Sequence, residues 1–117
     1  MASTHHFIIA DDHPLFRDAL KTIVASRFEN ARVSEAGDID EVTAQLQTDA
    51  DVDLVLLDLN MPGVRGFSGL MYLRAQYPGV PVCIVSATED QAIIRRALDF
   101  GAAGFMPKSL PVNDITA

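Results

Sequence analysis

Short apolar runs alternate along this chain with longer segments in which apolar residues recur every three or four positions. Short continuous runs are typical of strands buried on both faces, and the longer spacing predicts amphipathic helices. The runs predict strands at residues 6–10, 52–58, 80–85 and 103–106, and a weaker alternation predicts a peripheral strand at 32–36.

Apolar stripes predict four helices between these strands, each with one face toward the sheet. Pro14 suits the first turn of the first helix. The stripes consist of Leu15, Ala19, Leu20, Ile23, Val24 and Phe28; of Ile39, Val42 and Leu46; of Phe67, Leu70, Met71, Leu73 and Tyr77; and of Ile93, Ile94, Ala97 and Leu98.

Local signals predict where some of these helices begin and end. Asp38 with Glu41 and Thr88 with Gln91 resemble capping boxes, which would start the second and fourth helices. Gly101 is well placed as the carboxyl cap of the fourth helix, because glycine adopts the left-handed conformation that such caps use.

The order strand–helix, repeated five times, predicts a doubly wound α/β fold: a five-stranded parallel sheet with helices on both faces. The 117 residues suit a single domain spanning 1–117. Pro111 would start a last helix that is cut short at Ala117. This truncated helix suggests that the chain is one piece of a longer protein.

Composition narrows the possible functions. The net charge of −7 argues against nucleic-acid binding by this chain itself, since such binding needs basic clusters. Cys83 is the only cysteine, so an internal disulfide and a cysteine-based metal site are excluded, and an inert packed thiol is expected. No signal peptide and no run of membrane-spanning length is present, so we expect a soluble cytoplasmic protein with no membrane partner.

The central apolar run stops at Asp58, and Pro62 and Gly63 then turn the chain. Open α/β sheets bind ligands at the carboxyl ends of their strands, which makes Asp58 a candidate site residue. The other interpretation is that Asp58 only caps the turn.

In a parallel sheet the carboxyl ends of all strands lie along one edge. Five polar residues are predicted to lie at that edge: Asp11, Asp12, Asp58, Ser86 and Lys108. Three crowded carboxylates repel one another, and a hard cation such as Mg²⁺ would relieve the repulsion. A lysine and a hydroxyl suit the oxygens of a phosphoryl group. Asp58 could then act as a nucleophile toward phosphorus.

Each of these residues also has a purely structural interpretation. Asp12 could favour the start of a helix, Ser86 could be a cap, and Lys108 could be a solvated surface lysine. Asn60 could be an ordinary turn residue. His13, next to a helix start, is interpreted as a surface group rather than a metal ligand.

Four segments resemble those of the receiver domain of two-component response regulators. They are IIADDHPLFR at 8–17, DLNMPG at 58–63, SA at 86–87 and GFMPKS at 104–109, and the first resembles the NarL/FixJ (LuxR-type) subfamily. Singly these motifs are weak, but four in order at successive strand ends are specific. The resemblance covers essentially the whole chain.

The resemblance implies a flavodoxin-like fold with strand order 2-1-3-4-5. It implies that Asp58 accepts a phosphoryl group from a sensor histidine kinase. Asp12, Asp58 and the main-chain carbonyl of Asn60 would hold Mg²⁺, and Asp11 would assist through water. Such a domain is a signalling module rather than an enzyme, although it assists its own phosphorylation and slow dephosphorylation.

The resemblance also implies a switch. Ser86 and Lys108 would contact the phosphoryl oxygens, and Phe105 would change position with phosphorylation. The subfamily usually carries a carboxyl-terminal helix-turn-helix domain, so DNA binding would lie outside this chain and a homodimer would form on phosphorylation. Two departures are Ser109, where many receivers have proline, and Phe105, where tyrosine is frequent.

Three rival functions are weaker. A phosphatase of the haloacid-dehalogenase type needs a second aspartate two residues after the nucleophile, where this chain has Asn60. A receiver-like module that no longer accepts phosphate would be expected to lack site residues, which are all present. The glycine-rich patterns of nucleotide-binding loops are absent.

Overall fold

Five short strands form one parallel sheet in the computed structural model of the chain, which describes residues 5–28, 31–48, 51–59, 67–86 and 90–107. The order across the sheet is the second, first, third, fourth and fifth strand, and all neighbours are parallel. The predicted strand order is therefore confirmed. The strands are β1 (His6–Ala10), β2 (Arg32–Ala36), β3 (Leu54–Asp58), β4 (Val82–Ser86) and β5 (Gly104–Pro107).

Four helices alternate with these strands and cover both faces of the sheet. One apolar cluster contains residues of α2, α3 and α4, and the cluster on the other face contains residues of α1. No helix in the described part of the chain has the length and apolar character needed to cross a membrane. The predicted helix from Pro111 lies outside the described residues. The helices are α1 (Pro14–Arg27), α2 (Ile39–Thr48), α3 (Ser68–Gln76) and α4 (Gln91–Asp99).

The register of the strands determines which polar residues meet at the carboxyl edge. Ala10 pairs with Leu57, so the next residues, Asp11 and Asp58, lie beside each other on neighbouring strands. Asp58 in turn pairs with Val85, which places Ser86 one position further along. The hydrogen-bonded ladder itself therefore brings Asp11, Asp58 and Ser86 to one edge of the sheet.

Four apolar residues that the helical stripes placed against the sheet are exposed instead. The exposed fraction is 86% for Leu15, 39% for Phe28, 51% for Met71 and 48% for Leu98. Phe28 lies one residue beyond the end of α1. Each of the other three follows or precedes a residue that does face the core, and one helical position turns a side chain by about 100°. Met71 thus follows the fully buried Leu70, and Leu98 follows the buried Ala97.

The helix starts agree with the predictions in two of three cases. Pro14 occupies the first turn of α1, and the amide of Glu41 donates to Asp38 Oδ1 over 2.8 Å. The start of α4 was predicted wrongly. Its N-cap is Asp90, whose Oδ1 accepts from the amide of Ala92 over 2.9 Å, so the Thr88 box does not start this helix.

Gly101 ends α4 as predicted. Its φ is 101°, a conformation that side-chain-bearing residues rarely adopt. The amide of Gly101 donates to the carbonyl of Leu98 and that of Ala102 to the carbonyl of Ala97, which is the Schellman arrangement. A Cβ at position 101 would lie 3.1 Å from Nε of Arg74.

Replacement of this glycine should therefore destabilise the fold. We expect Gly101→Ala to lower the free energy of unfolding by about 1–2 kcal/mol, since it adds backbone strain and a close contact. Gly79→Ala is the matched control, because a Cβ there meets nothing within 4 Å. Urea unfolding followed by circular dichroism measures both. Equal stabilities of the two variants would contradict this interpretation of Gly101.

Candidate functional site

Two carboxylates are buried next to each other at the carboxyl edge of the sheet. Asp11 is 1% exposed and Asp58 is 0% exposed. Asp11 follows β1 and Asp58 is the last residue of β3, and the residues of both strands are almost entirely buried, so the two carboxylates lie at the edge of the core. Buried like charges are costly unless hydrogen bonds or cations compensate them. The burial of two neighbouring carboxylates thus makes the site dependent on groups that compensate their charge.

The turn after β1 is held by hydrogen bonds on both sides of Asp11. The amide of Asp11 donates to the carbonyl of Ala36 over 3.0 Å. Its carbonyl accepts from Nη1 of Arg17 over 2.9 Å, and its Oδ1 accepts from the amide of His13 over 2.8 Å. The Asp11 carboxylate is therefore the acceptor of a hydrogen bond at the residue that precedes α1.

An ion-pair network joins this turn to β2. Nε of Arg17 lies 3.1 Å from Oε1 of Glu35, and Nζ of Lys21 lies 3.3 Å from Oε2 of the same carboxylate. This network could not be predicted from the sequence, because opposite charges on a helix and on a strand cannot be paired before the topology is known. The only prior signal was that Arg17 falls one turn into a helix that starts at the site.

His13 lies closer to the carboxylates than the sequence suggested. Its side chain is 63% exposed, as expected of a surface group, but its Nδ1 points into the acidic cluster. That nitrogen is 3.0 Å from Oδ1 of Asp11, 3.1 Å from Oδ1 of Asp12 and 3.8 Å from Oδ2 of Asp58. The interpretation as a surface group was therefore incomplete.

The donor atoms of this cluster fit one small cation. One ligand atom from each of Asp11, Asp12, His13 and Asp58 lies within 4.8 Å of the others. Three of the four are carboxylate oxygens, the ligands that Mg²⁺ prefers, and Mg²⁺ commonly keeps several waters. Asp12 is 36% exposed, so the cluster has a solvent-facing side where such waters fit.

Ser86 and Phe105 lie on the β4–β5 side of the site. Ser86 is 3% exposed at the end of β4. Since Asp90 is the N-cap of α4, Ser86 does not cap that helix. Ser86 shares a face of β4 with Ile84, two residues earlier, and Phe105 is the β5 partner of Ile84. Phe105 is half-buried against the core cluster on that face.

Cys83 fits the predicted packed thiol. It is partly buried on β4, between β3 and β5, and burial raises the pKa of its thiol. A raised pKa lowers the fraction of reactive thiolate at neutral pH. Cys83 is therefore not a chemical participant in the site.

A comparison with known families matches residues 7–117 to the response regulator receiver domain. The chain belongs to this family. The resemblance seen in the four sequence segments is thus confirmed over nearly the whole chain.

The similarity to individual relatives supports the expected NarL/LuxR-type subfamily. The chain is 43% identical over 112 residues to the glycerol metabolism activator of Pseudomonas putida, covering 96% of this chain and 51% of the relative. It is 32% identical over 108 residues to the nitrate/nitrite response regulator protein NarL of Escherichia coli K12, covering 92% of this chain and 50% of that protein. The receiver spans about half the length of these relatives.

A solved structure shows the same fold. A LuxR family DNA-binding response regulator from Silicibacter pomeroyi superposes with a TM-score of 0.80 at 33% identity, covering 96% of this chain and 85% of that one. The flavodoxin-like receiver fold expected from the sequence is therefore confirmed.

Two predicted site residues of the receiver, Asn60 and Lys108, lie outside the described residues. The structure does place their neighbours. Leu59 follows Asp58 directly, and Pro107 pairs with Ser86 at the end of β5. Of the predicted site, the structure brings together Asp11, Asp12 and Asp58 and places Ser86 beside them.

Removal of one buried charge should stabilise the receiver in the absence of metal. We expect Asp58→Asn to raise the free energy of unfolding by about 1–3 kcal/mol in EDTA, because like charges a few ångströms apart repel. The matched control is Asp18→Asn on the exposed side of α1, which should change stability by less than about 0.5 kcal/mol.

Urea unfolding at low ionic strength measures both variants. Added MgCl2 should stabilise the parent chain more than Asp58→Asn, since ligands stabilise only the state that binds them. A less stable Asp58→Asn chain in EDTA would show that Asp58 is not electrostatically strained.

Proposed function

We propose that this receiver accepts a phosphoryl group on Asp58 from a sensor histidine kinase, in a reaction that depends on Mg²⁺. The observation that carries the proposal is the place of Asp58. Its carboxylate is fully buried at the end of the central strand, beside Asp11 and within the cluster of possible metal ligands. An aspartate that only capped the turn would not need other carboxylates close to it.

In the proposed reaction a carboxylate oxygen of Asp58 attacks phosphorus. A new P–O bond forms, the P–N bond to the kinase histidine breaks, and its imidazole leaves with the bonding electron pair. Asp58 is deprotonated when it attacks, and the apolar strands behind it fix its direction. Asp12, Asp58 and the main-chain carbonyl of Asn60 would hold Mg²⁺, with Asp11 assisting through water.

When bound, Mg²⁺ would neutralise charge on the transferring group. Ser86 and Lys108 would each donate a hydrogen bond to a phosphoryl oxygen. We propose a signalling domain rather than an enzyme with steady turnover, because Asn60 replaces the second aspartate that a phosphatase of the haloacid-dehalogenase type uses as its acid and base.

The output would be transcription. Two relatives, 34% and 32% identical, are named a transcriptional regulatory protein and a transcriptional activator protein, and the matched region is less than half of each. We therefore propose that the receiver at 1–117 works in the cytoplasm, dimerises on phosphorylation and controls a carboxyl-terminal helix-turn-helix domain outside this chain. DNA would be bound only through that domain.

Acetyl phosphate tests the phosphoacceptor. With Mg²⁺, the parent chain should gain one phosphoryl group by intact mass, and Asp58→Asn should gain none. Asp53→Asn, at the opposite end of β3, is the matched control and should still be modified. Retention of the modification in Asp58→Asn would refute the assignment, and a parent that gains nothing would favour a receiver-like module without phosphorylation.

The proposed switch uses Ser86 and Phe105. A phosphoryl group adds charge and strong acceptor oxygens near Ser86, which lies one position beyond the β4 partner of Asp58. Movement of Ser86 toward those oxygens would vacate space on the face of the sheet that Phe105 shares. The half-buried ring of Phe105 would then turn inward and alter the surface of α4 and β5.

Beryllofluoride, a stable mimic of the phosphoryl group, tests this coupling. We expect amide NMR shifts of Ser86 and of residues 104–106 in the parent, and much smaller shifts at 104–106 in Ser86→Ala with the site equally occupied. The physical reason is that a ligand moves an equilibrium only through contacts that differ between the two states. If the residues around Phe105 keep their shifts in the occupied parent, Phe105 is an ordinary core aromatic with one rotamer.

A further inference from the structure

We propose that Arg17 is a positioning residue for the metal site, acting through the main chain of Asp11. The inference rests on the proposed binding of Mg²⁺ at the acidic cluster. Arg17 itself offers no ligand atom to a cation. Its role is to hold the turn that carries Asp11 and Asp12.

The side chain of Arg17 connects α1, the turn at Asp11 and β2, and we call these contacts the clamp. On α1, its Nη1 donates to the carbonyl of Asp11 over 2.9 Å while its Nε lies 3.1 Å from Oε1 of Glu35 on β2. The side chain is 23% exposed, so solvent screens these contacts less than it would on an open surface. The guanidinium thus donates one hydrogen bond to the Asp11 carbonyl and forms an ion pair with Glu35, and its planar shape relates the two contacts more rigidly than a flexible ammonium would.

The clamped carbonyl controls the direction of two carboxylates. The amide of Asp11 is held by the carbonyl of Ala36, so both peptide groups of Asp11 have fixed partners. These two bonds restrict the backbone rotations that aim the side chains of Asp11 and Asp12. Arg17 would thereby resist any displacement of the turn under repulsion between Asp11 and Asp58.

A purely electrostatic role and a positioning role of Arg17 predict opposite changes in Mg²⁺ affinity when Arg17 is replaced. Arg17 and Mg²⁺ are both positive, so removal of the guanidinium charge would strengthen Mg²⁺ binding if the effect were only Coulombic. Loss of the clamp would weaken binding, because the ligands would no longer be aimed at one point. The sign of the change therefore separates the two roles.

The test is a titration of the 117-residue chain with MgCl2, followed through the amide NMR shifts of Asp58 and Leu59. We expect the Kd for Mg²⁺ to rise about tenfold in Arg17→Met, the low end of what loss of an outer hydrogen bond costs a metal site. The His13 amide, which donates to Oδ1 of Asp11, should also exchange faster with water.

Two further variants control the experiment. Lys21→Met removes a positive charge from the same Glu35 carboxylate but leaves the bond from Arg17 to Asp11, so its Kd should equal that of the parent. Arg17→Lys keeps the charge but not the two-partner geometry, so its Kd should rise roughly threefold, less than in Arg17→Met. Arg17→Lys also provides the test should Arg17→Met fail to fold.

The outcomes are distinct. A Kd in folded Arg17→Met that equals or falls below that of the parent overturns the positioning role, and so does a parent-like Kd in Arg17→Lys where only that variant folds. A rise that Lys21→Met shares shows a general charge effect and overturns it too. A parent chain that shows no saturable Mg²⁺ binding refutes the proposed metal site itself, which is a different failure.

Discussion

The burial of Asp11 beside Asp58 is the constraint on which the site depends. Parallel pairing of β1 with β3 leaves no alternative, because a shift by one residue would turn every side chain of the buried strands to the opposite face. The carboxylates therefore remain level with each other at a cost in electrostatic energy. The apolar strands supply the stability that offsets this cost, and a cation or a chemical change at Asp58 would act directly on it.

The two sides of the carboxyl edge are held by different interactions. On the β2 side, charged groups and main-chain hydrogen bonds connect Arg17, Glu35 and the turn at Asp11. On the β5 side, Phe105 contributes half-buried apolar packing across from Ile84. Directional bonds define one geometry, whereas an aromatic ring at a partly filled edge can adopt more than one rotamer. The proposed metal ligands Asp11 and Asp12 thus lie on the constrained side, and the proposed switch residues Ser86 and Phe105 lie on the other.

Much of the fold and of the site could be predicted from the sequence. These predictions held where a single local rule determines the structure of a segment. The buried run ending at Asp58 and the glycine at 101 are such cases, and both are confirmed. Predictions failed where the tertiary context decides. Leu15 and Leu98 are apolar but fall at the edge of a helical stripe, so their exposure depends on how the helix is rotated against the sheet. The same holds for Met71.

Hydrogen bonds and ion pairs between different helices, strands and loops could not be predicted from the sequence either. Asp90 rather than Thr88 caps α4, since both are good caps and only the path of the chain selects one. Arg17 and Glu35 are far apart along the chain, and His13 turns its nitrogen toward carboxylates that come from two strands.

The direction of coupling within the site follows from this arrangement. A phosphoryl group on Asp58 would add charge where the β1 turn cannot yield, so the strain would be relieved toward β4 and β5, where Ser86 offers a donor and Phe105 a deformable contact.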